Sequence, residues 1–314
     1  MRIFVAGATG VIGSRLVPAL IAAGHQVVGT TRWADRAARL RAVGAEPVVV
    51  DPLDRDAVTA VVLNARPTVV MHQLTALTGV VRRLRNFDRE FAATNRLRTV
   101  GLDNLLAAAI AAGAERFIAQ SYAGWPYAQT GGPVKTEADP LTREPPAPAR
   151  QSLAAIRHLE TQVTGPTGLT GVVLRYGALY GPGTGLEHGG PMLELLRRRR
   201  LPIVGDGGGV WSFLHVEDAV GATVAAVDRG PAGIYNVTDD EPAPVARWLP
   251  YLAERIGAPP PRRVPRWLAL PWLGRQGVAM MTTARGADNH RARSELDWHL
   301  TFPTWREGFR TGLG

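Results

Sequence analysis

The chain opens on Met1-Arg-Ile-Phe-Val-Ala-Gly-Ala-Thr-Gly-Val-Ile-Gly13, and no other stretch constrains its fold as strongly. An apolar run, Ile3 to Ala6, leads into Gly7, Gly10 and Gly13 and then into a helical stretch from Ser14 to Ala23. Three glycines at this spacing between strand and helix form the phosphate-binding turn of dinucleotide folds. Gly7 makes the tight turn, Gly10 lets the backbone approach a pyrophosphate, and Gly13 lets helix and strand pack closely. The pyrophosphate rests on the helix N-terminus, where unpaired N–H groups and the macrodipole favour negative charge. Thr9, Val11 and Ile12 lie in the same turn and join the expected cofactor contacts.

Short β-rich runs at Ile3–Ala6, Gln26–Thr30, Pro47–Val50, Thr68–His72 and Arg116–Gln120 alternate with helical stretches at Arg15–Ala23, Ala34–Val43, Arg55–Asn64 and, at greater length, Arg89–Ala112. Alternation at this spacing predicts right-handed βαβ crossovers and an α/β, Rossmann-type doubly wound parallel sheet. A polar, Pro-rich segment (131–150) reads as irregular surface; Ser152–Thr164 reads as helix, Thr170–Arg175 as strand, Val216–Asp228 as helix and Gly233–Val237 as strand. The expected dinucleotide-binding domain is 1–180, with 214–237 returning to it, and 181–213 plus 238–314 form a smaller, interleaved C-terminal domain capping the substrate.

The net charge is +9, and Lys135 is the only lysine. Arginine in an Ala-, Gly- and Pro-rich chain reflects a coding background more than a selected basic surface, and no nucleic-acid-reading motif accompanies it. The run Arg197–Arg200 reads as the solvated last turn of a helix, where cations complement the dipole. Without cysteine, disulfides and thiolate catalysis are excluded. No apolar run reaches the roughly 18–20 residues of a membrane span, and the chain starts inside a strand, so no leader and a cytoplasmic location are expected. No His/Asp/Glu cluster has metal-ligand spacing.

Four landmarks in this order resemble the extended short-chain dehydrogenase/reductase family, the NAD(P)-dependent epimerases and dehydratases: Gly7-Ala-Thr-Gly10-Val-Ile-Gly13, Leu174-Arg-Tyr-Gly-Ala-Leu-Tyr-Gly-Pro-Gly183, Phe213-Leu-His-Val-Glu-Asp218 and Ile234-Tyr-Asn-Val237. The resemblance covers essentially the whole chain. It implies that Asp51, with Pro52 beside it, contacts the adenine, and that Gln73, Leu74, Thr75 and Tyr176 line the ribose and nicotinamide side. His72, ending a buried strand, reads as a hydrogen-bonded structural residue. At the end of the second strand, where NAD-preferring relatives carry a carboxylate for the ribose 2′-OH, this chain has Thr30-Thr31-Arg32. Thr31 removes the repulsion of a 2′-phosphate and Arg32 supplies a bidentate partner, so NADP is expected over NAD.

The family's catalytic tyrosine, followed four residues later by lysine, is missing. Aligned on Glu160, the tyrosine position holds Ser152 and the lysine position Ile156. In Phe117-Ile-Ala-Gln-Ser-Tyr-Ala-Gly-Trp125, Tyr122 stands where the family has its catalytic serine, with Ser121 just before it. Tyr122 then either supplies the relocated phenol or forms an aromatic wall, because a phenol without a nearby cation stays near its ordinary pKa and exchanges protons slowly. Tyr127 and Tyr176 are weaker candidates for the same role. Relatives that bind nucleotide sugars place an arginine two positions before the Phe of Phe-x-His-Val; here that residue is Trp211, which stacks on a neutral ligand and cannot grip a diphosphate. Trp125 and Tyr127 complete the expected substrate wall, and the remaining C-terminal tryptophans are expected mostly in the core.

The expected function is an NADP-dependent oxidoreductase or epimerase-like enzyme acting on a carbonyl or secondary alcohol of a small, non-nucleotide substrate with a non-standard proton donor. A substrate already activated, such as an iminium or a quinone, would tolerate the loss of the acid. The alternatives are a non-redox isomerase, dehydratase or cyclase on the same fold and a non-catalytic NADP-binding sensor. A homodimer through Arg89–Ala112 and Ser152–Thr164 is plausible by the same resemblance.

Overall fold

The computed structural model describes residues 1–77, 84–166 and 168–314. Seven parallel strands form the central sheet: β1 (Arg2–Ala6), β2 (Gln26–Thr31), β3 (Glu46–Val49), β4 (Val69–His72), β5 (Arg116–Tyr122), β6 (Thr170–Tyr176) and β7 (Gly233–Val237). They lie in the order β3-β2-β1-β4-β5-β6-β7, so the direction of winding reverses between β1 and β4. Ligands of such sheets bind at that switch point, beyond the carboxyl ends of the strands.

Alternation along each strand decides what covers the sheet. Ile3 and Val5 face the side packed by α1 (Gly13–Ala22) and α6 (Val216–Ala225), through Leu16, Val17, Leu20, Val216 and Ala219. Phe4 and Ala6 face the side packed by α3 (Arg55–Ala65), α4 (Leu102–Ala111) and α5 (Arg150–Thr164), through Val58, Val62, Leu102, Leu105, Leu159 and Val163. α2 (Ala34–Ala42) adds Leu40 to the first side. A third core gathers Tyr180, Leu193, Leu196, Phe213, Trp305 and Phe309 with Trp248, Leu249 and Leu252 of α7 (Val245–Arg255) and Ala269 and Met281 of α8 (Arg266–Thr282). Its aromatic rings meet edge-on, Phe213 with Trp248 at 5.2 Å and Tyr180 with Phe309 at 5.3 Å between centroids.

The structure differs from the sequence expectation in several elements. The stretch before α4 is not one helix: Phe87–Glu90 and Ala92–Arg96 are separate turns, followed by a π-helical turn, Leu97–Gly101. Phe91 (φ −94°, ψ 0°) breaks the helix where its ring stacks on Phe87 at 4.3 Å. The segment 131–150 contains a two-residue strand, Val134–Lys135, paired with Gly286–Ala287. Trp248, Trp298 and Trp305 are buried as expected, but Trp267 and Trp272 of α8 are exposed. Among the described residues no helix is long and apolar enough to cross a membrane, and no group of His, Asp and Glu could hold a metal ion.

A buried ion pair joins three strands to α5. Arg175 of β6 donates from Nε to Glu160 Oε1 at 2.7 Å and from a terminal nitrogen to Oε2 at 2.6 Å. Its other terminal nitrogen donates to Tyr127 Oη at 2.9 Å, and Tyr127 in turn donates to Asn236 Oδ1 of β7 at 2.5 Å. Ser121 of β5 donates to Glu160 Oε1 at 2.7 Å. Such a pair is tolerated away from water because every charged oxygen finds donors, and removing one partner strands the other. Glu160→Gln is therefore expected to cost about 3–5 kcal/mol, read as a lowered urea midpoint with the folded spectrum retained.

Candidate active site

The glycine turn follows β1 at the switch point, and each glycine is needed for a different reason. Gly7 has φ +95°, and a Cβ there would lie 2.5 Å from the carbonyl oxygen of Gln73, in the loop after β4. A Cβ on Gly13 would lie 2.1 Å from Gly7 O, so α1 can start against the strand only without one. At Gly10 a Cβ would meet nothing but Gly7 O, at 3.3 Å, and the residue is exposed. Only Gly10 turns its missing side chain outward. Ile12 caps α1 without a side-chain hydrogen bond; Ser14 N and Arg15 N donate to Gly10 O and Ile12 O, and the turn's other N–H groups are left for an external acceptor. The turn fits a pyrophosphate: one face is open and the donors are uncapped.

The other expected cofactor residues stand at or just after the carboxyl ends of β2, β3 and β4. Thr30 Oγ1 accepts from Gly7 N at 3.3 Å, and Thr31 Oγ1 accepts from Trp33 N at 3.2 Å. Arg32 is exposed, has no ion-pair partner among the described residues, and lies 5.9 Å from the Trp33 ring centroid. Asp51, exposed beyond β3, accepts from Leu53 N at 3.0 Å; Pro52 is buried, its carbonyl held by Asn104 Nδ2 at 3.1 Å. Gln73 is buried after β4 with its Oε1 unpartnered, Leu74 is half-buried and Thr75 exposed.

The tyrosines divide sharply. Tyr176 is buried under the crevice, its hydroxyl 2.5 Å from Thr223 Oγ1 and accepting from Gln73 Nε2 at 3.2 Å. Tyr127 is buried with its hydroxyl held between Arg175 and Asn236. Burial pushes both phenols up to about 12. Tyr122, at the end of β5, is only half-buried and has no hydrogen-bond partner among the described residues. With Trp125, Trp211, Ser212 and Met280 it lines a small, partly open cavity. Trp211 presents a ring to this cavity because its Nε1 donates to Met280 O at 2.8 Å and its other face meets Trp248 at 5.1 Å. Trp125, Met280 and Ala284 also wall a second small space, where Gln276 is buried with an unpartnered Oε1.

The helix position that lost its tyrosine has been rebuilt. Ser152 is fully buried; its N–H and hydroxyl both donate to Asp88 Oδ1, at 2.8 and 2.7 Å, and its Oγ accepts from Asn95 Nδ2 at 3.1 Å. Ile156 is core. His215 of the Phe213–Asp218 motif is structural: its Nδ1 accepts from Glu217 N at the start of α6 and its Nε2 donates to Gly312 O at 2.9 Å. Sequence reasoning missed Asn95, Arg98, Gln276 and Met280. Helical phase alone could have pointed to Arg98, which shares an inward face with Asn95 and Leu102, whereas Arg96 is exposed.

The profile of the NAD-dependent epimerase/dehydratase family matches residues 3–238. The chain belongs to that family. Over 311 residues it is 51% identical to a Streptomyces protein named 3-diazoavenalumate denitrifying reductase, covering 98% of this chain and 99% of that one. A Stigmatella aurantiaca protein, 4-hydroxy-2-methyl-3-oxo-4-farnesyl-3,4-dihydroquinoline-1-oxide ketoreductase, is 29% identical over 82% of this chain and 74% of its own length. Among solved structures, Thermotoga maritima UDP-glucose 4-epimerase with UDP-glucose superposes with a TM-score of 0.78 at 23% identity, over 100% of this chain and 97% of that one. The protein is an NAD(P)-dependent oxidoreductase or epimerase-like enzyme on a Rossmann fold.

His72 ends β4 beneath the site and donates from Nε2 to Leu97 O at 2.9 Å. Burial, with Arg98 nearby adding to it, lowers its pKa from 6.5 to about 4. The folded state thus favours neutral His72, and the resulting stability is present above pH 6.5 and lost as pH falls toward 4. Urea midpoints across that window should reveal a loss of about 3 kcal/mol that is missing from His72→Leu.

Proposed function

We propose that this protein is an NADPH-dependent reductase of a small, planar substrate that already carries its electrophile, the favoured class being a diazo-bearing arene. The carrying observation is the cavity at the carboxyl end of β5, which combines an unengaged phenol (Tyr122) with two tryptophan walls (Trp125, Trp211) and no arginine among its lining residues. That lining suits a flat, largely apolar ligand and gives no grip on a sugar-linked diphosphate. The close relative named as a denitrifying reductase of a diazo compound supports the same class.

A nicotinamide cofactor, when bound, supplies a hydride. Gly7, Gly10, Gly13 and the first turn of α1 would hold its pyrophosphate, Asp51 and Pro52 its adenine, and Gln73, Leu74 and Thr75 its nicotinamide side. Arg32 would pair with a 2′-phosphate. An aryldiazonium needs no proton before reduction, because its terminal nitrogen is already electron-poor. That nitrogen takes the hydride; the new N–H proton then leaves, the carbon–nitrogen bond breaks with its pair on carbon, N₂ departs and carbon takes a proton. One hydride is consumed and no net proton. Tyr122, its phenol pushed up to about 12 by burial, is protonated near neutral pH. It gives its proton to the carbon, and the N–H proton, taken first by solvent water, returns to the phenolate. Losing the family's helix tyrosine is compatible with this chemistry, since the first step needs no acid.

With a diazo-bearing arene, nicotinamide absorbance should fall in step with N₂ release, and Tyr122→Phe should reduce turnover about 100-fold. Unchanged absorbance across diazo and ketone panels would sink the reductase reading. Arg32→Ala should weaken NADPH binding about tenfold or more by calorimetry while leaving NADH binding unaltered; equal losses for both cofactors would remove Arg32 from the 2′-phosphate site.

A further inference from the structure

Arg98 carries a guanidinium into the interior and bonds to nothing there. It is 7% exposed, and among the described residues it makes no hydrogen bond and no ion pair. Arg175, buried nearby, engages both terminal nitrogens and Nε. Burial disfavours the charge on this side chain, so a negative charge that forms within its reach during function is stabilised there.

Its position identifies that charge. Arg98 stands on the π-helical turn Leu97–Gly101, a distortion that recurs at functional sites. The turn is pinned to β4 through His72 Nε2 on Leu97 O, and one turn earlier Asn95 Nδ2 ties the same run to Ser152 of α5. β5 lies beside β4, with Ala119 paired to His72 three residues before Tyr122. Tyr122 and Glu160 are the ionisable groups within electrostatic reach of the guanidinium. Glu160 is already bonded to Arg175 and Ser121, whereas the Tyr122 hydroxyl is unengaged.

We propose that Arg98 and Tyr122 are a relocated phenol–cation pair, in which Arg98, a positioning residue acting through Tyr122, replaces the lysine that α5 lacks at Ile156. When Tyr122 gives up its proton, the O–H bond breaks with its pair on oxygen, and the phenolate forms beside Arg98; the proton released by the substrate restores the phenol. The destination of that proton rests on the reductase reading; the coupling of the two residues does not. Burial raises the phenol and Arg98 opposes the rise. The other ionisable groups on this spot are His72 from β4, which burial keeps neutral near pH 7, and Glu160 from α5, held by Arg175 from β6.

The test uses the cofactor-free protein with difluorotyrosine, whose phenol titrates well below that of tyrosine, incorporated at position 122 and followed by fluorine NMR. Arg98→Gln is expected to move that titration up by about one pH unit or more, and Arg98→Lys, which keeps a cation, to restore most of the difference. A residue that merely packed would leave the titration where it was, and that outcome overturns the pair. If Arg98→Gln does not fold, Arg98→Met, which keeps the apolar stem and removes the charge, takes its place: a titration left at the wild-type value overturns the pair as well. Because no substrate is present, an inactive diazo panel would count against the reductase reading alone.

Discussion

The Glu160–Arg175 pair is the interaction on which the site depends. Two charges are taken out of water together, and they stay only because Ser121, Tyr127 and Asn236 complete their hydrogen bonds. Those bonds set the carboxyl ends of β5, β6 and β7 at fixed heights relative to α5, and the cavity opens just beyond them. They also assign chemistry by subtraction. Ser121 and Tyr127, both polar residues beside the reaction space, are held by the pair and its partners, which leaves Tyr122 as the unengaged hydroxyl at the end of β5.

The lost tyrosine and lysine are absorbed without a cavity. Ser152 closes on Asp88 and Asn95, and Ile156 joins the apolar packing of α5. The helix therefore no longer presents a proton donor to the crevice but still supports it from behind. The cavity beyond β5 is walled by the rings of Trp125 and Trp211 and has no arginine among its lining residues.

Features set by local backbone chemistry were legible in the sequence. The tight turn at Gly7 and the close packing at Gly13 follow from the spacing, and a Cβ at either would collide with backbone. The parallel sheet, its strand starts and the buried His72 were legible because period-two and helical patterns report directly on two covered faces. The break at Phe91 and the π turn at Leu97–Gly101 were not, since both answer to packing against β4 and α5 and not to propensity.

Side-chain chemistry followed the opposite rule. Tyr122, Tyr127 and Tyr176 look alike in sequence, and which phenol is open depends on Thr223, Gln73, Arg175 and Asn236, all distant along the chain. Arg96 and Arg98 are two residues apart, yet one is solvated and the other buried. The sequence by itself determined a dinucleotide-binding α/β fold and the absence of the usual catalytic pair, because steric limits on glycine and the identity of residues at 152 and 156 need no neighbours to interpret. Only the tertiary structure decided which hydroxyl remains available and which arginine is buried, because burial and hydrogen bonding are set by contacts between elements far apart in the chain.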